Sequence, residues 1–233
     1  MADLKSRQLR RAERAHRILD AAADLVQRYG YNKTTLDDLA RQAGVAKGTL
    51  YLHWRSREEI FGALLRREEF RVARSFLDEV RALPEVPTLR SLFRQSALGL
   101  LRHPLVRAAF TRDVEVVGKL VRDQGRHPER KEIFEVLLDY LAQRGMARPD
   151  LAPQARNFLV HSIFLGFCMM ASLTPAPLPD EAIADLVADS VVGALQLDGA
   201  MTPDETGETT QAFLAHLEEI VAREEAEFEA QLL

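Results

Sequence analysis

The densest group of residues with binding chemistry lies between positions 47 and 53. Lys47, Gly48, Thr49, Tyr51 and His53 combine a cation, a permissive backbone and hydroxyl and imidazole donors in one short segment. Lysine and the amides at a helix start can bind phosphate, and tyrosine and histidine can donate hydrogen bonds to a sugar–phosphate backbone. The residue types therefore favour contact with a nucleic acid.

Two short helices and a glycine turn are expected to position this segment. Thr35 precedes Asp38 by three residues, a variant of the capping box that predicts a helix from about residue 36 to 43. Gly44 can supply the positive φ of a tight turn, and a second helix is predicted from about Lys47 to His53. This pattern predicts a helix-turn-helix, whose second helix can enter the major groove of DNA.

Helical periodicity separates the residues of this segment that pack from those that face outward. The predicted packing positions are Leu36, Leu39, Ala40, Val45, Leu50 and Trp54. Lys47, Thr49, Tyr51, Leu52 and His53 are left on the outer face. Thr49 and Leu52 would contact base edges, with Leu52 against a thymine methyl. As alternatives, Tyr51 and His53 cap the core of the small domain, and Lys47 is simply solvated.

The stretch TTLDDLARQAGVAKGTLYLHWRSREEIF closely resembles the DNA-binding segment of the tetracycline-repressor (TetR) family of bacterial regulators. The shared features are the alanine-glycine turn, the lysine-glycine helix start and the Tyr-x-His-aromatic end, and the resemblance is specific over about residues 15–65. It implies a homodimer, a palindromic operator and an inducer pocket in the C-terminal domain. Many family members carry a larger polar residue at the place of Leu52, so direct base readout is expected to be sparse here.

Further DNA contacts are predicted around this segment by location. Thr34, Thr35, Arg55 and Arg57 are candidate phosphate contacts, as is the amide of Gly48. The basic stretch from Lys5 to Arg17 either adds nonspecific phosphate contacts or is a frayed, solvated tail.

The charge of the chain is unevenly distributed. Residues 1–57 hold 12 Lys and Arg against 6 Asp and Glu, a balance of +6, whereas the rest hold 19 against 29, a balance of −10. A basic front on an acidic body indicates that only the front meets a polyanion. The N-terminus lacks the apolar region of a secretory signal, and Cys168 is the single cysteine, so a cytoplasmic protein is expected, associated with the nucleoid when bound to DNA.

Beyond residue 56 the pattern predicts helices separated by proline and glycine. A long helix opens at Ser56 and Glu59 and runs to about Arg81, and further helices are predicted near 88–102, 105–122, 129–144, 153–173, 179–196 and 203–232. The expected fold is all-α with about ten helices. Residues 1–56 would form a three-helix helix-turn-helix domain, and residues 57–233 a helical ligand-binding and dimerisation domain. The last helix, about 203–232, exceeds the usual count of the family and would pack on the dimer seam or cover its own domain.

The resemblance implies two further sites in the C-terminal domain. A dimer interface is expected along a stripe of small and apolar residues: Gly166, Ile183, Leu186, Val187, Ser190, Val191 and Ala194. The candidate ligand-binding residues are Phe93, Phe110, Asp113, Phe134, Leu138, Phe158, His161 and Phe164. His161 and Asp113 interrupt apolar stripes, where an unpaired polar group would be costly. Plain core packing, a satisfied histidine and an arginine-paired aspartate are the alternatives.

The predicted function is a ligand-responsive transcriptional regulator, a repressor released from a palindromic DNA operator by a small apolar or amphipathic effector. Its partners would be operator DNA, a second copy of the chain and the effector. An architectural DNA-binding protein without ligand control is the alternative. An enzyme is not expected, since the sequence has no nucleophile elbow, no phosphate loop and no closely spaced metal-ligand set. No cofactor or metal is predicted.

Overall fold

The computed structural model describes residues 2–111, 133–144, 150–173, 178–195 and 203–233, with backbone only at 2–5, 133–137, 173 and 203–206. Within these ranges the chain is helical and contains no strand, which confirms the predicted all-α fold. The described residues form ten helices. The first four are α1 (Ala2–Tyr29), α2 (Leu36–Ala43), α3 (Lys47–Leu50) and α4 (Arg57–Arg81). The others are α5 (Leu89–Arg102), α6 (Pro104–Phe110), α7 (Ile133–Gln143), α8 (Pro153–Leu173), α9 (Asp180–Leu195) and α10 (Pro203–Leu232).

Local capping chemistry determines the ends of α2. The hydroxyl of Thr35 accepts a hydrogen bond from the Asp38 amide at 3.1 Å, and the Asp38 carboxylate accepts one from the Thr35 amide at 3.3 Å. Both halves of the predicted capping box are therefore present. Gly44 ends the helix at φ 64°, and its amide donates to the last carbonyls of α2. This left-handed conformation strongly favours glycine.

The chain divides into two compact units. Unit 1 comprises the described residues within 1–70, 104–126 and 222–233, and unit 2 those within 71–103 and 127–221. The first residues of α4 belong to unit 1 and its last to unit 2, and the reverse holds for α10. The predicted division at residue 56 follows function rather than packing and stays a prediction.

The core of unit 1 joins α1, α2, α3 and the start of α4. Ile18, Leu39, Leu50, Trp54 and Phe61 are all buried in one cluster. The predicted packing positions are confirmed, because Leu39, Ala40, Leu50 and Trp54 are buried while Leu36 and Val45 are partly buried against them. Removing such a set of side chains from water is the main favourable contribution to folding of this unit.

The last turns of α10 complete the core of unit 1. Phe228 and Leu232 are buried in its cluster, and the rings of Phe70 and Phe228 lie 5.7 Å apart. Glu229 is 3.0 Å from the imidazole of His16 on α1, and Gln231 accepts a bond from Arg66 on α4 at 3.4 Å. The C-terminal helix therefore packs against other helices of its own chain, which was one of the two predicted alternatives.

Unit 2 is built around the pair α5 and α9, which pack along much of their length, with α8 against both and α7 against α8. Arg90 on α5 donates to Asp189 at 2.6 Å and to Asp185 at 2.9 Å on α9. These hydrogen bonds hold the pair in register at the surface, and Leu92, Phe93, Val187 and Val191 fill its interior. No helix in the described ranges is long and apolar enough to cross a membrane.

Candidate nucleic-acid interface

The second helix of the helix-turn-helix is shorter than expected. It was predicted from Lys47 to His53, but α3 ends at Leu50, and residues 51–53 continue as hydrogen-bonded turns. The amides of His53 and Trp54 both donate to the carbonyl of Leu50 at 3.0 Å. The segment from Lys47 to His53 therefore keeps a compact, helix-like path. The buried side chains of Leu50 and Trp54 attach it to the core of unit 1.

The outward face of this segment carries the residues predicted to contact DNA. Tyr51 is 51% exposed and Leu52 is 66% exposed, while Thr49 and His53 are half-buried. The space beyond the backbone of Gly48 is open, so a phosphate or base can approach closely there. The structure thus brings Gly48, Thr49, Tyr51, Leu52 and His53 to one continuous surface.

Lys47 is exposed but paired. Its ammonium lies 3.0 Å from the carboxylate of Asp37 on α2, and this hydrogen bond raises the pKa of Lys47. Lys47 is therefore charged, and a DNA phosphate has to compete with Asp37 for it. The pairing was not predicted, because the two residues are ten apart in sequence and meet only when the turn at Gly44 folds.

The structure contradicts the phosphate contact predicted for the side chain of Thr34. Its side chain is buried, and its hydroxyl donates to the carbonyl of Gly30 at 2.9 Å, which closes the loop after α1. Thr35 is exposed, but its hydroxyl serves the cap of α2 and donates to Asp38 at 2.6 Å. Hydrogen bonds from Thr35 lower the pKa of Asp38, so the capping carboxylate stays ionised.

Arg57 is held away from the predicted phosphate contact. Its guanidinium lies over the ring of Tyr31 at 4.0 Å and donates to the carbonyl of Tyr31. This arrangement is a packing contact at the edge of the unit 1 core, and a DNA role would require Arg57 to leave it. Arg55 is exposed, and its amide donates to Glu59 at 2.7 Å, while the Glu59 amide donates to Ser56 at 3.1 Å.

The basic N-terminal stretch is helical rather than a frayed tail. Five arginines of α1 fall within about 120° of one another around the helix axis, at 100° per residue: Arg7, Arg10, Arg11, Arg14 and Arg17. Arg11 donates to the carbonyl of Leu52 at 3.2 Å, so this arginine face of α1 lies beside the exposed segment. Alanine, arginine and glutamate are strong helix formers, and that composition was the available signal for the longer helix.

His53 is neutral at physiological pH because of this neighbourhood. Burial, and then the positive charges of Arg11 and Arg14, lower the pKa of His53 to about 4. Its Nε2 atom is buried and has no hydrogen-bond partner among the residues that the structure describes. A neutral imidazole can still donate one hydrogen bond to a phosphate oxygen.

The predicted dimer interface only partly reaches the surface. Ile183, Val187 and Val191 are buried in the core of unit 2 on α9, which packs against α5, and this contradicts their assignment to an interface. Ala194 is half-buried. Gly166, Leu186 and Ser190 are accessible.

The predicted ligand-binding residues are scattered. Phe93, Leu138 and Phe164 are fully buried in unit 2, whereas Phe110 is half-buried on α6 in unit 1. Phe158 is 75% exposed, which contradicts a place in a pocket wall. His161 Nδ1 lies 2.9 Å from the carbonyl of Asn157, one helical turn earlier. Asp113 and the side chain of Phe134 lie outside the described residues.

Comparisons with known proteins agree with this geometry. Residues 18–64 match the family model for bacterial regulatory proteins of the tetR family. The chain is 27% identical over 124 residues to the fatty acid metabolism regulator protein of Bacillus subtilis, covering 53% of this chain and 60% of that protein. It is 26% identical over 171 residues to the A-factor receptor protein of Streptomyces griseus, covering 71% of this chain and 58% of that one. The chain thus spans less than two thirds of both relatives.

A solved structure shares the fold. The transcriptional regulator FadR from Bacillus subtilis, crystallised with stearoyl-CoA, superposes with a TM-score of 0.58 at 15% identity, over 76% of this chain and 97% of that one. The match of residues 18–64 covers α2, α3 and the surface that carries Tyr51 and Leu52. Residues 18–64 thus carry the DNA-binding sequence of the tetR family of bacterial regulatory proteins, and the chain shares its helical fold with this solved regulator.

Proposed function

We propose that the chain is a ligand-responsive transcriptional regulator that binds DNA through the segment from Lys47 to His53. The observation that carries this proposal is the arginine face of α1 beside the exposed Tyr51 and Leu52. Exposed donors next to clustered guanidinium groups suit a phosphate backbone, and Leu52 suits a base edge. The regulator acts in the cytoplasm as a repressor and is associated with the nucleoid when bound to its operator.

The proposed DNA-binding form is a homodimer on a palindromic operator. Phe158, Met169 and Met170 on α8 and Leu186 on α9 are large apolar side chains left exposed by the single chain. Gly166 and Ser190 lie among them and would let two helices approach closely. An exposed apolar face of this kind favours binding of a partner chain. We call residues Lys47 to His53 the recognition segment. A two-fold axis would place the two recognition segments of a dimer in major grooves about 34–36 Å apart or a multiple of that.

The proposed effector is a small apolar or amphipathic molecule held in unit 2. Phe93, Leu138 and Phe164 supply buried apolar surface on α5, α7 and α8. The solved relative that holds stearoyl-CoA supports a ligand with a long apolar part. Effector binding would release the repressor by favouring a dimer whose recognition segments are wrongly spaced. An architectural DNA-binding protein without ligand control is the alternative.

Substitutions in the recognition segment test the DNA-binding surface. Tyr51→Ala should weaken binding to operator and to random duplexes alike, since a phosphate contact carries no sequence information. Leu52→Ala should instead change base preference more than affinity. Selection on randomised duplexes with each variant measures both effects, and footprinting of the selected site should show dyad symmetry.

Tyr29→Ala provides the matched control, because Tyr29 is similarly exposed at 57% but lies at the far end of α1. It should leave both kinds of binding unchanged. If Tyr51→Ala behaves like the control and only lowers the melting temperature, Tyr51 caps the core and the proposed interface is wrong. A selected site without dyad symmetry would contradict the dimer.

A further inference from the structure

Unit 2 buries polar side-chain atoms that have no hydrogen-bond partner among the residues the structure describes. They are Gln95 Oε1 on α5, Tyr140 OH on α7, Arg156 Nε and Asn157 Oδ1 on α8, and Thr210 Oγ1 on α10. Folded proteins leave few buried polar atoms unsatisfied, because each costs about 1–3 kcal/mol. Five such atoms on four helices of one unit are open to a polar group that the described residues do not supply.

Arg156 makes the strongest demand of the five. Its side chain is 5% exposed, and no carboxylate pairs with it in the part of the chain that is described. A guanidinium cannot escape by losing its proton, so a buried arginine needs an anion. Arg67 in unit 1, also buried in the described part of the chain, has one, since it donates to Asp20 at 2.8 Å and to Glu68 at 3.1 Å.

The surroundings of Arg156 are apolar along α8. Val160 and Phe164 follow it at intervals of four residues, so the three share one face of the helix, and both are buried. Helical side chains lean toward the N-terminus, which carries the guanidinium away from Val160 and toward the start of α8. This face therefore presents a charge at one end and apolar surface along the rest.

Two hydroxyl groups of unit 2 lie on α7, which contacts α8, and on α10, which contacts α7 through Phe213. Tyr140 lies within the last turn of α7, which contacts α8 and is joined to it by the short connection 144–152. The ring of Tyr140 packs 5.6 Å from that of Phe213 on α10, and Thr210 lies one turn before Phe213. Tyr140 and Thr210 are thus two hydroxyl donors of unit 2 that the described residues leave unpaired.

We propose that Arg156 binds the anionic head group, a carboxylate or a phosphate, of an amphipathic effector. The apolar part of that effector lies along Val160 and Phe164, and Tyr140 and Thr210 donate to the head group. A guanidinium fork matches the paired oxygens of either anion. The inference rests on the proposed function only in assigning an effector to unit 2.

Three amphiphiles with the same apolar chain test the proposal by calorimetric titration: dodecanoate, dodecyl phosphate and 1-dodecanol. The wild-type chain should bind at least one of the anions about tenfold or more tighter than the alcohol, since a charge-assisted pair is lost with the alcohol. The preferred anion identifies the head group. Arg156→Met should remove this preference and leave the affinity for 1-dodecanol unchanged. Arg102→Met, a surface arginine of unit 2 paired with Glu181 at 2.8 Å, is the control and should keep it.

The melting temperature of the ligand-free variant gives an independent reading. Because the described residues include no partner of Arg156, we expect Arg156→Met to melt at or above the temperature of the wild type. A fall of several degrees would mean that the guanidinium is paired within the chain, which overturns the proposal. An unchanged preference for anions in Arg156→Met, or no binding of either anion at about 1 mM, also overturns it.

Operator release by the same compounds separates this inference from the proposed function. If 1-dodecanol binds and releases operator as well as the anions do, effector control stands and the role of Arg156 is wrong. If the anions bind through Arg156 but leave operator affinity unchanged, the binding site stands and the regulatory function is wrong.

Discussion

Individual side chains around the recognition segment show how position changes the chemistry of a residue type. Thr34 and Thr35 are adjacent and chemically identical, yet one is buried on Gly30 and the other caps α2. Sequence reasoning could identify the cap, because Asp38 stands three residues on. It could not exclude Thr34 from the DNA surface, because its burial depends on the packing of the loop between α1 and α2.

The pKa of His53 leads to a prediction at this scale. In the unfolded chain His53 titrates near 6.5, whereas in the folded chain it stays neutral down to about 4. The unfolded state therefore binds more protons between these values, and stability falls as the pH is lowered through that window. We expect an NMR titration of the His53 ring to have its midpoint well below the ordinary range, and Arg11→Gln to raise that midpoint.

His53→Gln supplies the corresponding stability measurement. This variant should lose less of its melting temperature between about pH 7 and pH 5 than the wild type does, because the glutamine does not take up a proton. A His53 midpoint near that of a free histidine, unaffected by Arg11→Gln, would contradict the burial and the arginine neighbours together.

Among the helices, α10 is the element whose role depends most on distant contacts. The sequence predicts its bounds well, since proline and apolar periodicity are local signals. Its division between two units could not be predicted, because Phe228 meets Phe70, which lies far away in sequence. The same reason explains why part of the dimer interface predicted on α9 is buried within the chain. Periodicity identifies an apolar face of a helix but not the surface that covers it.

Truncating Phe228 tests the contribution of α10 to the DNA-binding unit. Phe228→Ala should destabilise unit 1 by about 3 kcal/mol, the lower end of the range for a buried phenylalanine. Trp54 is the single tryptophan and lies in the same core, so its fluorescence reports the unfolding of unit 1 specifically. Leu233→Ala, at an exposed position five residues on, is the control. Equal denaturation midpoints for Phe228→Ala and the wild type would show that unit 1 folds without α10.

For the molecule as a whole, α4 and α10 each contribute residues to both units. The helix α4 is therefore shared by the two units, with its N-terminal residues in the unit that holds the segment from Lys47 to His53. Such an element would give the proposed effector a physical route to DNA affinity.

Linkage makes the coupling measurable. Whichever of dodecanoate, dodecyl phosphate and 1-dodecanol raises the melting temperature should lower operator affinity by about 5–150-fold, corresponding to a coupling of 1–3 kcal/mol. Operator DNA must then lower the affinity of the protein for the same compound by the same factor, whereas a scrambled duplex should leave that affinity unchanged. Titrations onto the free protein and onto the operator complex measure this. Equal affinities in the two would leave a DNA-binding protein with an incidental cavity.

The burial of Phe228 and Leu232 in the core of unit 1 also determines when that unit can finish folding during translation. The ribosome makes residues 1–70 before residues 222–233, so most of unit 2 is synthesised between two parts of the same core. At about 5–20 residues per second, roughly 10–30 s pass between the synthesis of residue 70 and that of Phe228 and Leu232. During this interval the apolar surfaces of α1 and α4 that receive them remain uncovered on the nascent chain. We therefore expect a nascent chain to complete the core of its proposed DNA-binding unit only once residues 222–233 have been translated.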